Sequence, residues 1–404
     1  MTRSPGLSQW QHTVSTHLPH LSKPQATALA LWSFGMVLAQ SCGLSSVSAC
    51  IALLVQRSEH AVRQQLREWC YDATDKRGAK RQALDVTTCF APLLRWVLTW
   101  WATTERRLAL AMDASTLGQR FTVLSISVLY RGCAIPVAWI VVAATRKGAW
   151  KPHWLALFTH LHGSVPSDWT VIVLADRGLY ARWLYRHIQS LGWHPFLRIN
   201  LGGQYRPAGC VRFRPLAQTV PTVGQRWSGQ ITCFATPESQ LDGTLLARWD
   251  AGHSDPWLIL TDLPPDVADI AWYGLRPWIE SGYKDTKRGG WHWEQTKMTD
   301  PARATRLWLA IAVATLWVVS VGDQADASQP TSMLDEVALL PALRCQPIRR
   351  SRPRLLSYFR RGVIRIVTTL ITHGSLPIGR FMPDPWPESI DMHEHEPPVQ
   401  LMAA

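Results

Sequence analysis

The stretch LALAMDASTLGQRFTVLSISVLYRGCAIPVAWIVVAA, residues 108–144, contains three apolar runs rich in β-branched residues and parted by Gly- and Arg-containing breaks. Such runs between turn residues predict three consecutive strands. Downstream come a helical stretch at 150–162, the short apolar run WTVIVLAD (169–176), an amphipathic ARWLYRHIQSLGW (181–193) and HPFLRIN (194–200). A run as short and apolar as WTVIVLAD suits a buried strand. The order β-β-β-α-β-α-β outlines a mixed α/β domain. Residues from about 201 to 255 are rich in Gly, Pro and Thr, with short runs such as RWSGQITCF and GTLLARWD, and predict a small β insertion. PWLILTDLP (256–264) reads as a further strand, and helices return between 266 and 321.

Outside this block the texture is helical or basic. Residues 23–71 predict helices, with a polar break near Arg57 and Ser58. Arg63 and Arg67 lie four apart on the helix after the break. The pair fits a helix-turn-helix on DNA and an ordinary helical hairpin with a basic edge equally well. DATDKRGAKRQ (72–82) reads as a flexible connection. QPIRRSRPRLLSYFRRGVIR (346–365) is strongly basic. DPWPESIDMHEHEPPVQLMAA (384–404) is acidic, Pro-rich and expected to be disordered, its HEHE cluster a solvated tail. The organisation expected is an N-terminal helical domain over 1–100, an α/β domain over 101–325 with the insertion inside it, and a C-terminal basic region and acidic tail over 326–404.

Composition narrows the function classes. The 404 residues are 47 % hydrophobic and 18 % charged, a globular balance. A net charge of +13 suits a polyanion, with nucleic acid first, and makes poor sense for a glycosidase acting on neutral sugars. The eight cysteines form no C-x-x-C pair, which argues against a zinc ribbon and for reduced, buried thiols. The N-terminus has no apolar signal region. The longest apolar run, 307–321, is fifteen residues, short of the about twenty that span a membrane, and predicts a buried core helix. The expectation is a cytoplasmic protein with no membrane partner.

Chemistry enters at three acidic positions. Asp113 follows the run LALAM and Asp176 follows VIVLA, so each is placed where a buried strand opens on a ligand crevice. A lone aspartate there is more often a turn residue or a helix cap than a catalyst, and Asp176 precedes Arg177, Gly178 and a helix. Two close carboxylates repel unless a cation neutralises them, and hard oxygen donors suit Mg²⁺. The third lies in WYGLRPWIESGYKDTKRGGW, residues 272–291, where Tyr273, Arg276, Glu280 and Lys287 keep the spacing Y-x2-R-x3-E-x6-K. That spacing arises by chance in such a chain with odds on the order of one in a thousand. On an unbroken helix the four would share one stripe, within about 60°. Pro277 conflicts with this: either the helix kinks there, or it restarts at Pro277 and leaves Tyr273 and Arg276 ahead of it. Asp285 and Glu294 are nearby acids that do not fit the spacing, and Asp262, which ends the strand LILTD at the crevice, is expected to cap the next helix or turn instead.

Asp113, Asp176 and Glu280, with Y-x2-R-x3-E-x6-K around the glutamate, resemble the DDE transposases of bacterial insertion sequences, and more narrowly the insertion-sequence-four group with its YREK signature. The insertion between the second aspartate and the glutamate matches as well. The resemblance covers about residues 108–321. It implies a ribonuclease-H-like fold and metal-dependent, cut-and-paste cleavage and strand transfer of DNA. Two Mg²⁺ or Mn²⁺ ions would be held by Asp113, Asp176 and Glu280. Tyr273, Arg276 and Lys287 would grip the transposon end, with Lys284 and Arg288 extending the track and Trp227, Trp249 or Trp257 stacking on a flipped base. The implied partners are the terminal inverted repeats and target DNA, with a homodimer on DNA, in a nucleoid-associated setting. A transposase-derived DNA-binding protein and a ribonuclease-H-like structure-selective nuclease are the alternatives.

Overall fold

A computed structural model describes residues 4–76, 82–144, 150–328, 356–372 and 374–389, without the side chains of 325–328. Five helices precede the sheet: α1 (Pro5–His17), α2 (Lys23–Ala39), α3 (Leu44–Val55), α4 (Glu59–Trp69) and α5 (Phe90–Trp100). The three predicted strands form β1 (Arg107–Leu117), β2 (Phe121–Tyr130) and β3 (Cys133–Ala143). Arg131 and Gly132 turn the second hairpin, both with positive φ, as a two-residue loop between twisted strands requires. Pro136 donates no ladder hydrogen bond, and the β2–β3 register slips beside it, at Ile126/Ser127. β3 is the sheet edge, where proline is tolerated.

α6 (Lys151–Leu161), β4 (Thr170–Ala175), α7 (Arg182–Ser190) and β5 (His194–Arg198) complete the first half of the sheet, in the order β3-β2-β1-β4-β5. β1, β4 and β5 run parallel, and β2 is antiparallel to both its neighbours. This is a ribonuclease-H-like core. Every position of β2 is buried, as expected of a strand covered on both faces. The predicted insertion supplies β6 (Gln204–Pro207), β7 (Arg214–Pro215), β8 (Arg226–Cys233) and β9 (Leu241–Arg248), and β10 (Trp257–Thr261) joins them antiparallel to β5. One ten-stranded sheet results.

The last helices are α8 (Trp278–Thr286), α9 (Pro301–Ser328) and α10 (Tyr358–Ile371). α9 contains the 307–321 run. It is long and apolar enough to cross a membrane, but it is buried as a core helix against β3, α2 and α10. A Cβ on Gly362 would sit 1.7 Å from the Val318 carbonyl oxygen, so glycine lets α10 cross α9 in backbone contact. The N-terminal helices share this core: Trp10 stacks on Trp317 at 4.2 Å, and one hydrophobic cluster runs from Leu7 to Trp386. Among the described cysteines, Cys42, Cys70, Cys89, Cys133 and Cys233 are buried.

The C-terminal expectation needs correction. Residues 384–389 are docked, not disordered. Asp384 pairs with Arg131, Trp386 packs edge-on against Trp272 at 4.8 Å, and Ser389 bonds to Asp269. Acidity and proline content predicted a solvated tail, but tertiary partners for Trp386 and Asp384 outweigh them. The HEHE cluster, residues 346–355 of the basic run and residues 77–81 of the connection lie outside the described residues, while 358–365 begin α10.

Candidate active site

The sheet brings the two aspartates together. β1 and β4 pair in parallel up to Ala111 opposite Leu174, and Asp113 and Asp176 each lie two residues further on. β1 continues to Leu117, so Asp113 sits within a strand and pairs with Ser125 of β2. Each aspartate anchors one oxygen on its own backbone: Asp113 Oδ1 accepts from the Ala114 N–H at 2.8 Å, and Asp176 Oδ1 from the Gly178 and Leu179 N–H groups at 3.0 and 3.2 Å. Asp176 therefore braces the turn after β4 rather than capping α7, whose cap position is Ala181, and this occupies only one of its oxygens.

The segment carrying the third carboxylate does not form the single stripe that an unbroken helix predicts. Residues Ile270–Leu275 form a 3-10 helix and α8 starts at Trp278, with Pro277 at its cap. In an α-helix the Tyr273 carbonyl would need the N–H that Pro277 lacks. Here it accepts from the Arg276 N–H at 3.0 Å instead, and the Glu280 N–H reaches the Pro277 carbonyl at 3.0 Å. The missing donor is absorbed by 3-10 geometry. Tyr273 and Arg276 thus precede the helix, while Lys287 ends it with non-helical dihedrals.

Arg276 is the centre of the cluster. It is buried, and its guanidinium meets Asp113 Oδ2 at 3.1 Å, Asp176 Oδ2 at 3.4 Å and Glu280 Oε1. Three carboxylates from β1, the end of β4 and α8 therefore converge on one cation. Burial pushes the Asp113 carboxyl above its ordinary range, against the pull of Arg276 and the Ala114 N–H, and Asp176 and Glu280 push it the same way. When all three are ionised, one guanidinium leaves two negative charges unbalanced.

The other predicted residues have different settings. Tyr273 is buried edge-on against Trp257, its hydroxyl 3.5 Å from the Ala175 carbonyl and its pKa pushed up by burial to about 12. It backs the strand end below Asp176 rather than facing solvent. Lys287 donates to Ser115 Oγ at 2.8 Å and the Thr116 carbonyl at 2.7 Å, at the far end of β1. Burial lowers its pKa, with Glu294 opposing. Lys284 and Arg288 are exposed beside it. Trp227 and Trp249 are partly buried, against Tyr205 and the His253 carbonyl, and of the three tryptophans Trp257 touches the site through Tyr273. Asp262 is taken up by His194 at 3.0 Å and Glu294 lies 3.4 Å from His292, so neither joins the cluster.

Sequence reasoning missed Tyr283. Its buried hydroxyl lies 2.8 Å from Ser125 Oγ and donates to the Asp113 carbonyl at 2.7 Å, tying α8 to the two strands behind the aspartate. Its position three residues after Glu280, on the buried side of an amphipathic helix, was the available signal.

The Transposase DDE domain family matches residues 108–317, just over half of the chain, from β1 into α9. The chain belongs to this transposase family. The cryo-EM structure of a piggyBac transposase synaptic complex with hairpin DNA is similar over 77 % of this chain and 71 % of that one, with 10 % sequence identity and a TM-score of 0.38. No curated protein matches.

DDE transposases generally use divalent metal ions. In this transposase no three His, Cys, Asp or Glu side chains among the described residues are grouped tightly enough to hold a metal ion. The chemistry of the three side chains, rather than their present spacing, is of the kind such an ion takes: hard carboxylate oxygens from three elements share the Arg276 guanidinium and carry two charges beyond what it balances.

Proposed function

We propose that the chain is an active DDE transposase of the insertion-sequence-four, YREK type, which cleaves the ends of its element and joins them to target DNA. The observation that carries this is the meeting of Asp113, Asp176 and Glu280 on Arg276, within the matched domain. Asp113, Asp176 and Glu280 would hold Mg²⁺ or Mn²⁺, which supplies activation of the attacking oxygen and stabilisation of the leaving one in an in-line displacement at phosphorus.

The protein's own residues supply position and charge. Tyr283 and the Ala114 N–H fix Asp113 from behind, and the two backbone N–H groups fix Asp176. Lys287 stands fixed on β1, and exposed Lys284 and Arg288 continue a cationic track beside the cluster, suited to phosphates rather than bases. Partly buried Trp257 is the tryptophan best placed for stacking near the site. Arg63 and Arg67 are exposed on α4, which suits contact of the N-terminal helices with the terminal repeats, and two ends held together call for a dimer on DNA.

The test is cleavage of DNA carrying the element's own terminal inverted repeats, with Mg²⁺ or Mn²⁺. Glu280→Ala is expected to lower cleavage by about a thousandfold or more while end binding survives. Normal cleavage by this variant would remove Glu280 from the site, and a native protein that binds the ends but never cuts them would favour the DNA-binding reading.

A further inference from the structure

We propose that Arg276 is an exchangeable counterion: it pairs with the three carboxylates until a divalent cation takes the same oxygens, and metal binding then releases its guanidinium. This rests on the metal-site reading above and adds a role for one residue within it. The argument starts from which oxygens are engaged. In both aspartates Oδ1 is held by backbone N–H groups and Oδ2 is turned to Arg276. The Oδ2 atoms are the ones free to exchange partners, and a cation held by these aspartates would compete with Arg276 for them.

The guanidinium itself has nothing else to hold it. All its hydrogen bonds and ion pairs are to these three carboxylates, and its Nε is buried without a partner. A structural arginine would be expected to spend some of its five donors on carbonyls. Arg306 is such a case, bonded to the carbonyls of Cys70 and Leu84 as well as to Asp72. Glu280, the third partner, has a largely exposed side chain that can swing from guanidinium to metal without unpacking the core. Two cations that compete for one ligand set each weaken the other's binding by the same factor.

The experiment measures Mn²⁺ binding to the full-length protein without DNA, from the free-Mn²⁺ signal in electron paramagnetic resonance. Arg276→Gln is expected to bind Mn²⁺ about tenfold more tightly than the native chain, since the competing cation is gone. Its melting temperature is expected to be lower without Mn²⁺ and to rise more on adding it. A merely structural arginine predicts the opposite sign, because disorganised carboxylates bind metal less well. Asp113→Asn serves as the control for the site and is expected to lose Mn²⁺ binding. If Arg276→Gln does not fold, Arg276→Lys substitutes: one ammonium cannot span three carboxylates, so Mn²⁺ binding about threefold tighter is expected. Equal or weaker binding by the folded variant, with binding still lost in Asp113→Asn, overturns the exchange and keeps the metal site. Absence of binding in every form overturns both.

Discussion

The candidate site has two halves built by different means. The sheet half, Asp113 and Asp176, is fixed by ladders of backbone hydrogen bonds between β1, β2 and β4 and by N–H groups that hold one oxygen of each aspartate. The helical half, Arg276, Glu280 and Lys287, rides on a 3-10 turn and a nine-residue helix. Such a helix is too short to be stable alone. It is held from outside by Tyr283 against β1 and β2, by close approach to β3, and by the docked C-terminal residues at Asp269 and Trp272. The proposed function would draw on this division, with rigid carboxylates on one side and a segment held by a few side-chain contacts on the other.

The comparison breaks hardest at Gly282. A Cβ there would stand 2.7 Å from the Ala134 Cβ and 3.1 Å from its carbonyl oxygen, so no side chain fits between α8 and β3. Gly282→Val is expected to destabilise by about 3 kcal/mol or more and to abolish cleavage. Hydrogen exchange should show protection lost over 270–291 while β1, β2 and β4 keep theirs. Uniform loss across the sheet would mean the halves are one cooperative unit.

Tyr283→Phe probes the joint between them. It removes the hydroxyl shared by Ser125 and the Asp113 carbonyl and leaves the ring in place. A loss of about 1–2 kcal/mol in chemical denaturation is expected, together with cleavage reduced more than end binding. Unchanged cleavage would show that Asp113 needs no support from α8.

The same division governs what the sequence revealed. β1 to β5 and the insertion were legible because apolar, β-branched runs between turns are local signals. So was the spacing of Tyr273, Arg276, Glu280 and Lys287, which named the segment. Its conformation was not legible: Pro277 left two readings open, and the choice depended on whether Arg276 could supply the hydrogen bond that Pro277 cannot. The contact of Tyr273 with the end of β4, the convergence of the two aspartates on Arg276 and the docking of Trp386 all depend on residues about a hundred positions away or more. Local pattern carries no information on such pairs.

The smallest effect is the one that depends on pH, and it isolates the helical half. Asp285, in the last turn of α8, has its carboxyl pushed up to about 7 by burial, with Lys284 pulling the other way, although part of the residue stays exposed. A carboxyl raised in the folded state favours folding fully below its unfolded pKa near 4, and that contribution is lost as pH rises through about 7. At pH 8.5 the native helix carries a charge its surroundings disfavour. Asp285→Asn removes the charge and keeps the size. Melts from pH 4 to 8.5 should show the variant gaining on the native chain as pH rises, reaching roughly 1 kcal/mol after allowance for the exposed part. Asp113 is also raised, but Arg276 partly offsets it in both proteins, so the difference between them reports Asp285 alone. A gap that stays constant with pH would mean that Asp285 is solvated, and that α8 is held on the sheet with no electrostatic strain of its own.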